Sequence, residues 1–73
     1  MSKLRRLSGR DCVKALTQVG FREKRQHGSH IIQRRDYPFA QRVIPDHKEL
    51  DRGRLRAIIR QAGLSIEEFN ALL

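Results

Sequence analysis

Residues 21–45, FREKRQHGSHIIQRRDYPFAQRVIP, decide the fold because they combine runs of strand length with two turn signals. The first signal is the His27-Gly28 pair, and the second is residues 35–38, which end in proline. The predicted strands cover residues 21–26, 29–34 and 40–44, and Pro45 closes the last one. This pattern predicts a three-stranded antiparallel meander whose first strand is half-buried.

The pattern leaves the buried face of the middle strand undecided. Side chains alternate between the two faces of a strand, and the adjacent Ile31 and Ile32 therefore point to opposite faces. Either isoleucine can be the one in the core.

A first helix is predicted between Ser8 and Gly20. Ser8 is a good N-cap, and Asp11 is a shorter version of the Glu or Gln that completes a capping box. Apolar residues recur at three- and four-residue spacing and form one buried stripe, while Arg10 faces away. The stripe consists of Cys12, Val13, Leu16 and Val19.

Two further helices are predicted after the third strand. Asp51 caps the second helix and Gly63 ends it, and Ser65 with Glu68 forms a capping box that opens the third. The side chains predicted to point inward are Leu55, Ile58, Ile59 and Ala62, then Ile66, Phe69, Leu72 and Leu73. We therefore expect an α+β fold in the order αβββα with a short extra helix, and with the helices on one face of the sheet.

Size and composition restrict the function. The chain has 73 residues, 38% of them hydrophobic, and a single cysteine, so it can build one modest core without an internal disulfide. A multidomain enzyme and a disulfide-framework secreted protein are excluded, and we expect residues 1–73 to form one domain. The sequence has neither a signal-peptide pattern nor a membrane span, so we expect a cytoplasmic protein with no membrane partner.

The charge balance favours a polyanionic partner. Sixteen Lys and Arg against eight Asp and Glu give a net charge of +8 at pH 7. Such a surface attracts nucleic acid through counterion release, although the same charge can simply keep a small domain in solution. Charge alone separates neither RNA from DNA nor binding from catalysis.

From the residues alone, His30 is either a candidate catalytic residue or an ordinary surface or hydrogen-bonded histidine, which is the commoner case for an isolated G-S-H after a turn. It begins the middle strand directly after the Gly28-Ser29 turn, and a sheet holds a general acid or base in a rigid frame. Because Gly28 lets a ligand approach closely, we count this turn among the RNA-binding residues. The other candidate RNA-binding residues are Arg22, Lys24, Arg25, Arg34 and Arg35. RNA supplies its own nucleophile, the 2′-hydroxyl, so a histidine and cations are sufficient for cleavage.

The other histidines have competing interpretations. His27 is interpreted as a turn residue. His47 is either a second candidate acid or base or a residue that bonds within its own loop. These side chains and Cys12 lack the spacing of a zinc site, so we expect no metal and no cofactor.

Two non-catalytic functions stay open from the residues alone. An RNA-binding module would use the same basic face and recognise shape and 2′-hydroxyls. A DNA-binding helix-turn-helix over residues 55–73 is the other alternative, although Glu67 and Glu68 on its recognition helix would repel phosphates.

Several short segments, taken in order, resemble the HicA (YcfA-like) toxin family over nearly the whole chain. They are Gly20-Phe21, residues 25–30 (RQHGSH), residues 44–47 (IPDH), Glu49-Leu50 and residues 55–69 (LRAIIRQAGLSIEEF). The resemblance implies a double-stranded-RNA-binding-domain-like fold and a type II toxin that cleaves mRNA without the ribosome. It also implies a HicB-like antitoxin as partner, His30 of the G-S-H motif as the catalytic residue, and His47 as the histidine of the P-x-H motif.

Overall fold

A computed structural model describes residues 4–73. The helices and strands, in chain order, are α1 (Gly9–Thr17), β1 (Arg22–His27), β2 (His30–Asp36), β3 (Phe39–Pro45), α2 (Arg52–Gln61) and α3 (Ile66–Asn70). The predicted α+β fold is confirmed, with helices before and after a three-stranded antiparallel sheet. Among the described helices, none is long and apolar enough to cross a membrane.

All three predicted helix N-caps are confirmed. The Ser8 hydroxyl accepts from the Asp11 N–H at 3.0 Å, and the Asp11 carboxylate accepts from the Ser8 N–H at 3.2 Å. The equivalent bonds between Ser65 and Glu68 measure 3.0 and 2.8 Å. Hydrogen bonding from Ser65, first of all from its backbone N–H, holds the pKa of the Glu68 carboxyl below its usual value. Asp51 accepts from the Arg54 N–H at 3.0 Å. Each cap satisfies a backbone N–H that has no partner inside its own helix.

The sheet has the order β1-β2-β3, and each neighbouring pair is antiparallel. The predicted meander is confirmed, but β2 and β3 extend further than predicted, to Asp36 and over residues 39–45. The turn predicted at residues 35–38 contracts to Tyr37 and Pro38, because Arg35 and Asp36 continue the ladder and pair with β3.

The prediction of a half-buried first strand is wrong. All six residues of β1 are exposed. Within the predicted strand, residues 21–26, Phe21 alone is fully buried, and it precedes the observed strand. β1 is an edge strand, and its positions on the helix side of the sheet carry the polar Glu23 and Gln26. Both side chains bond to Arg10 instead of entering the core.

The core lies between the helices and one face of the sheet. On β2, Ile31 and Gln33 are fully buried, whereas Ile32 lies on the opposite face and is partly exposed. The other fully or nearly fully buried residues include Cys12, Leu16, Phe21, Ile44, Leu55, Ile59 and Phe69. Leu73, predicted to point inward, is 42% exposed because it lies beyond the end of α3.

Candidate active site

The hairpin turn between β1 and β2 places two histidines side by side. His27 ends β1, His30 begins β2, and the two are paired directly across the antiparallel ladder. Gly28 in the turn has φ of 56°, a left-handed conformation that favours glycine. Directly opposed residues lie on the same face of a sheet, with Cβ atoms about 4.5–5.5 Å apart. Both histidines are exposed, and His27 is a strand residue and not the turn residue interpreted from the sequence.

Among the residues that the structure describes, the side chains on the face of these histidines are exposed or partly exposed, apart from Pro45. Because Ile31 and Gln33 point into the core, alternation places His30, Ile32 and Arg34 on the open face of the sheet. From β3, Val43 pairs with Ile32 on this face and is 49% exposed. Except at Pro45, which is fully buried opposite His30, the side chains of the open face are accessible to a ligand.

Three of the predicted RNA-binding cations lie on this open face. Arg25 pairs with Ile32, and Arg22 pairs with Arg34, so all three guanidinium groups share the face with His27 and His30. The charge of Arg34 is partly offset by Asp36, whose carboxylate lies 2.9 Å from Nε. The open face thus combines two imidazoles with a cluster of positive charge.

The remaining predicted RNA-binding residues lie in different settings. Lys24 is exposed at a bulge where the register of β1 shifts, and Gly28 and Ser29 form the hairpin turn. Arg35 is not brought together with the others, because its position in β2 alternates to the helix side. Its guanidinium lies 4.7 Å from the centre of the Phe21 ring and donates to the Pro38 carbonyl.

The hairpin turn is fastened to the rest of the fold by a polar network that the sequence did not suggest. Gln26 Nε2 donates to the Gly28 carbonyl at 3.0 Å and to Asp46 Oδ2 at 3.1 Å, and its Oε1 accepts from Arg10 at 2.7 Å. Arg10 also donates to Glu23 at 3.2 Å, and its Nε lies 3.6 Å from Asp46 Oδ1. Exposed pairs of this kind contribute little stability individually, but together they restrict the position of the turn.

The loop after β3 is held against the same turn. The Asp46 N–H donates to the Ser29 carbonyl at 2.6 Å, and the carbonyl of His47 accepts from the Gly9 N–H at 2.8 Å. The His47 side chain is exposed on this loop. The backbone carrying the third histidine is therefore attached to both the hairpin turn and the start of α1.

Cys12 takes no part in this site. The thiol is fully buried in the stripe predicted for α1, and burial raises the pKa of Cys12 to about 12. Such a thiol is neither a nucleophile nor a ready metal ligand. Within residues 4–73, no three His, Cys, Asp or Glu side chains are grouped so that they can hold a metal ion.

The C-terminal helices contribute to the core. Leu55, Ile58 and Ile59 of α2 and Phe69 of α3 are buried, while Glu67 and Glu68 are exposed. The exposed side of α3 is therefore acidic, which is unfavourable for contact with a phosphate backbone.

Comparison with protein families identifies the chain. The family model of the HicA toxin of bacterial toxin-antitoxin systems matches residues 9–64. The chain belongs to the HicA toxin family. The match begins at the first residue of α1 and ends just after α2, so it includes the whole sheet and the hairpin with His27 and His30. Membership in the HicA family implies an antitoxin partner. The comparison with curated proteins gave no match.

Proposed function

We propose that this HicA chain, acting as a single cytoplasmic domain, is a ribosome-independent endoribonuclease that cleaves mRNA, with His30 as its catalytic residue. The observation that carries the proposal is the exposed imidazole of His30, at the head of β2, on an open face shared with three arginines. The proposed partners are single-stranded mRNA and a HicB-like antitoxin that neutralises the toxin.

The chemistry needs little from the protein. A base takes the proton of the RNA 2′-hydroxyl, the O2′ atom bonds to the adjacent phosphorus, and the bond from phosphorus to O5′ breaks. An acid gives a proton to O5′, which leaves a 2′,3′-cyclic phosphate and a 5′-hydroxyl end. His30 acts as the base or the acid of this reaction. The catalysis proposed here requires no metal or cofactor.

The cations on the open face bind the substrate and stabilise charge on phosphorus. Arg22, Arg25 and Arg34 lie beside the histidines, so a phosphate at His30 can be contacted by several guanidinium groups. Lys24 extends this surface at the bulge of β1. The Gly28-Ser29 turn, which carries no bulky side chain, lets the RNA backbone approach closely.

His47 is a second candidate acid or base in this proposal. The bond between the Asp46 N–H and the Ser29 carbonyl holds its loop beside the hairpin turn. The exposure of the imidazole leaves it accessible to a substrate bound there.

The test compares wild type with His30→Ala as pure proteins on a single-stranded RNA, in the presence of EDTA. General acid-base catalysis raises a reaction rate by about 10²–10⁴-fold. We therefore expect His30→Ala to cleave RNA at least 100-fold more slowly than wild type. Arg56→Gln is the matched control, since it alters an exposed residue of α2 and should retain activity. Far-UV circular dichroism shows whether each variant is folded.

Several outcomes contradict the proposal. Cleavage that persists in folded His30→Ala shows that His30 is not the catalyst. Salt-sensitive RNA binding by wild type without turnover indicates a binding module instead. Cleavage that EDTA abolishes and a divalent ion restores contradicts a metal-free reaction.

The antitoxin is tested separately. Induced wild type should arrest growth, and co-expression of a small acidic protein encoded beside its gene should relieve the arrest. Recovery of no such protein in a pull-down from the native cell contradicts the proposed partner.

A further inference from the structure

We propose that His27 and His30 act as a pair on one phosphodiester, one as the general base and the other as the general acid. The inference deepens the proposed function and rests on it. It assigns to His27 a catalytic role that the G-S-H motif does not contain, because His27 lies three residues before His30 and outside that motif.

The pairing is a consequence of the hairpin geometry. A two-residue turn makes the residues on either side of it the last pair of the ladder, and here those residues are His27 and His30. They lie on the same face, with Cβ atoms at the cross-strand spacing of about 5 Å, and both are exposed. Two imidazoles at this spacing can flank one phosphate, so that one reaches O2′ and the other reaches O5′.

The network around the turn keeps this pair in place. Gln26 binds the Gly28 carbonyl from the β1 side, and the Asp46 N–H binds the Ser29 carbonyl from the β3 side. Arg10 of α1 holds the Gln26 amide in turn. Acid-base groups supported in this way need little reorganisation when substrate binds.

The charges around the pair come from three parts of the fold. Arg25 of β1 and Arg34 of β2 share the open face with the histidines, and β3 places the uncharged Pro45 opposite His30. The loop after β3 contributes Asp46, whose carboxylate is engaged by Gln26 and Arg10, and His47. A bound phosphate adds negative charge beside both imidazoles and stabilises the protonated form of the acid.

In each cleavage step, one histidine of the pair gains a proton and the other loses one. The neutral imidazole takes the proton of the 2′-hydroxyl as the bond from O2′ to phosphorus forms. The protonated imidazole gives its proton to O5′ as the bond from phosphorus to O5′ breaks. The two histidines finish with exchanged protonation states, and proton exchange with water restores them for the next cycle.

The experiment measures kcat/KM against pH for wild type, His27→Gln and His30→Gln on a single-stranded RNA. Two titrating groups of opposite role give wild type a bell-shaped profile. We expect the kcat/KM of His27→Gln at the pH optimum to be at least 100-fold below that of wild type. Its pH profile should keep only one of the two limbs of the bell shape. A purely structural role of His27 would lower the rate without removing a limb. Arg56→Gln is again the control, and circular dichroism confirms that each variant is folded.

A second substrate identifies the acid. It carries sulfur in place of the scissile O5′, and the thiolate leaves without needing a proton. We expect this substrate to restore the rate of the variant that lacks the acid and not that of the variant that lacks the base.

Each remaining result decides against the pair. If wild type cuts RNA and His27→Gln keeps the rate and the bell-shaped profile, the pair is refuted while the function of His30 stands. If the sulfur substrate rescues neither variant, or if His47→Gln removes the limb instead, the partner of His30 is another group. If wild type cuts no RNA, the proposed function fails and the pair fails with it.

Discussion

Substitution of Gly9 by alanine should destabilise the domain, because α1 begins in direct contact with the end of β3. A Cβ atom built on Gly9 would lie 1.9 Å from the carbonyl oxygen of Pro45 and 2.9 Å from its carbon. The neighbours are backbone atoms and cannot rotate away. The Gly9 N–H donates to the His47 carbonyl at 2.8 Å in the same contact.

Three contributions determine how much Gly9→Ala changes the free energy of unfolding. Ordinary van der Waals contact begins near 3.4 Å, so α1 and β3 must separate by about 1.5 Å. Overpacking of this kind costs about 1–3 kcal/mol, and loss of the bond to His47 costs about 1 kcal/mol. The greater helix propensity of alanine returns at most about 1 kcal/mol. We therefore expect Gly9→Ala to lower the free energy of unfolding by about 1–3 kcal/mol.

The assay is urea denaturation followed by circular dichroism, with Gly53→Ala as the matched control. Gly53 is also a helical glycine, near the start of α2, but its Cβ would meet only the flexible Asp51 carboxylate at 3.3 Å. The control should be unchanged or stabilised by up to about 1 kcal/mol. For a domain of this size, a loss of 2 kcal/mol lowers Tm by roughly 8–16 °C. Equal stability of the two variants would refute the steric argument.

Two further predictions concern titratable groups. The bonds from Ser65 depress the pKa of Glu68, so its contribution to stability is present above the unfolded-state pKa and is lost as the pH falls through the folded-state pKa. Glu68→Gln should therefore show a smaller loss of urea midpoint between pH 7 and pH 3 than wild type, and an equal loss would contradict this. Because Cys12 is fully buried with a pKa of about 12, a disulfide reagent should label it far more slowly in native protein than in urea. Equal rates in both conditions would show that the thiol is accessible.

Local features of the fold were predictable from the sequence because the residues that make them are neighbours in the chain. The capping bonds of Ser8 and Ser65 join residues three positions apart, and Gly28 requires a left-handed conformation within its own turn. The candidate role of His30 was likewise suggested by its place directly after that turn, and it stays a prediction. The pairing of His27 with His30 follows from the length of the same turn, yet the interpretation of His27 as a turn residue hid it.

Features that depend on distant residues were not predictable. The exposure of β1 was missed because it depends on Arg10 of α1, which binds the polar Glu23 and Gln26 on the helix side of this strand. Arg10 was expected only to face away from the core, but it bonds to Gln26, which lies 16 positions further along the chain. Gln33 is fully buried and donates to the Val13 carbonyl, although its side chain is polar.

The sequence by itself determined the α+β order, the helix caps, the basic character and the candidate histidine, since each rests on composition or on short-range spacing. Only the tertiary structure decided that Ile31 and not Ile32 enters the core, because either choice satisfies the alternation of a strand. That decision comes from the helices, which pack on one side of the sheet. It turns His30 and the arginines around it outward onto the open face, away from the core.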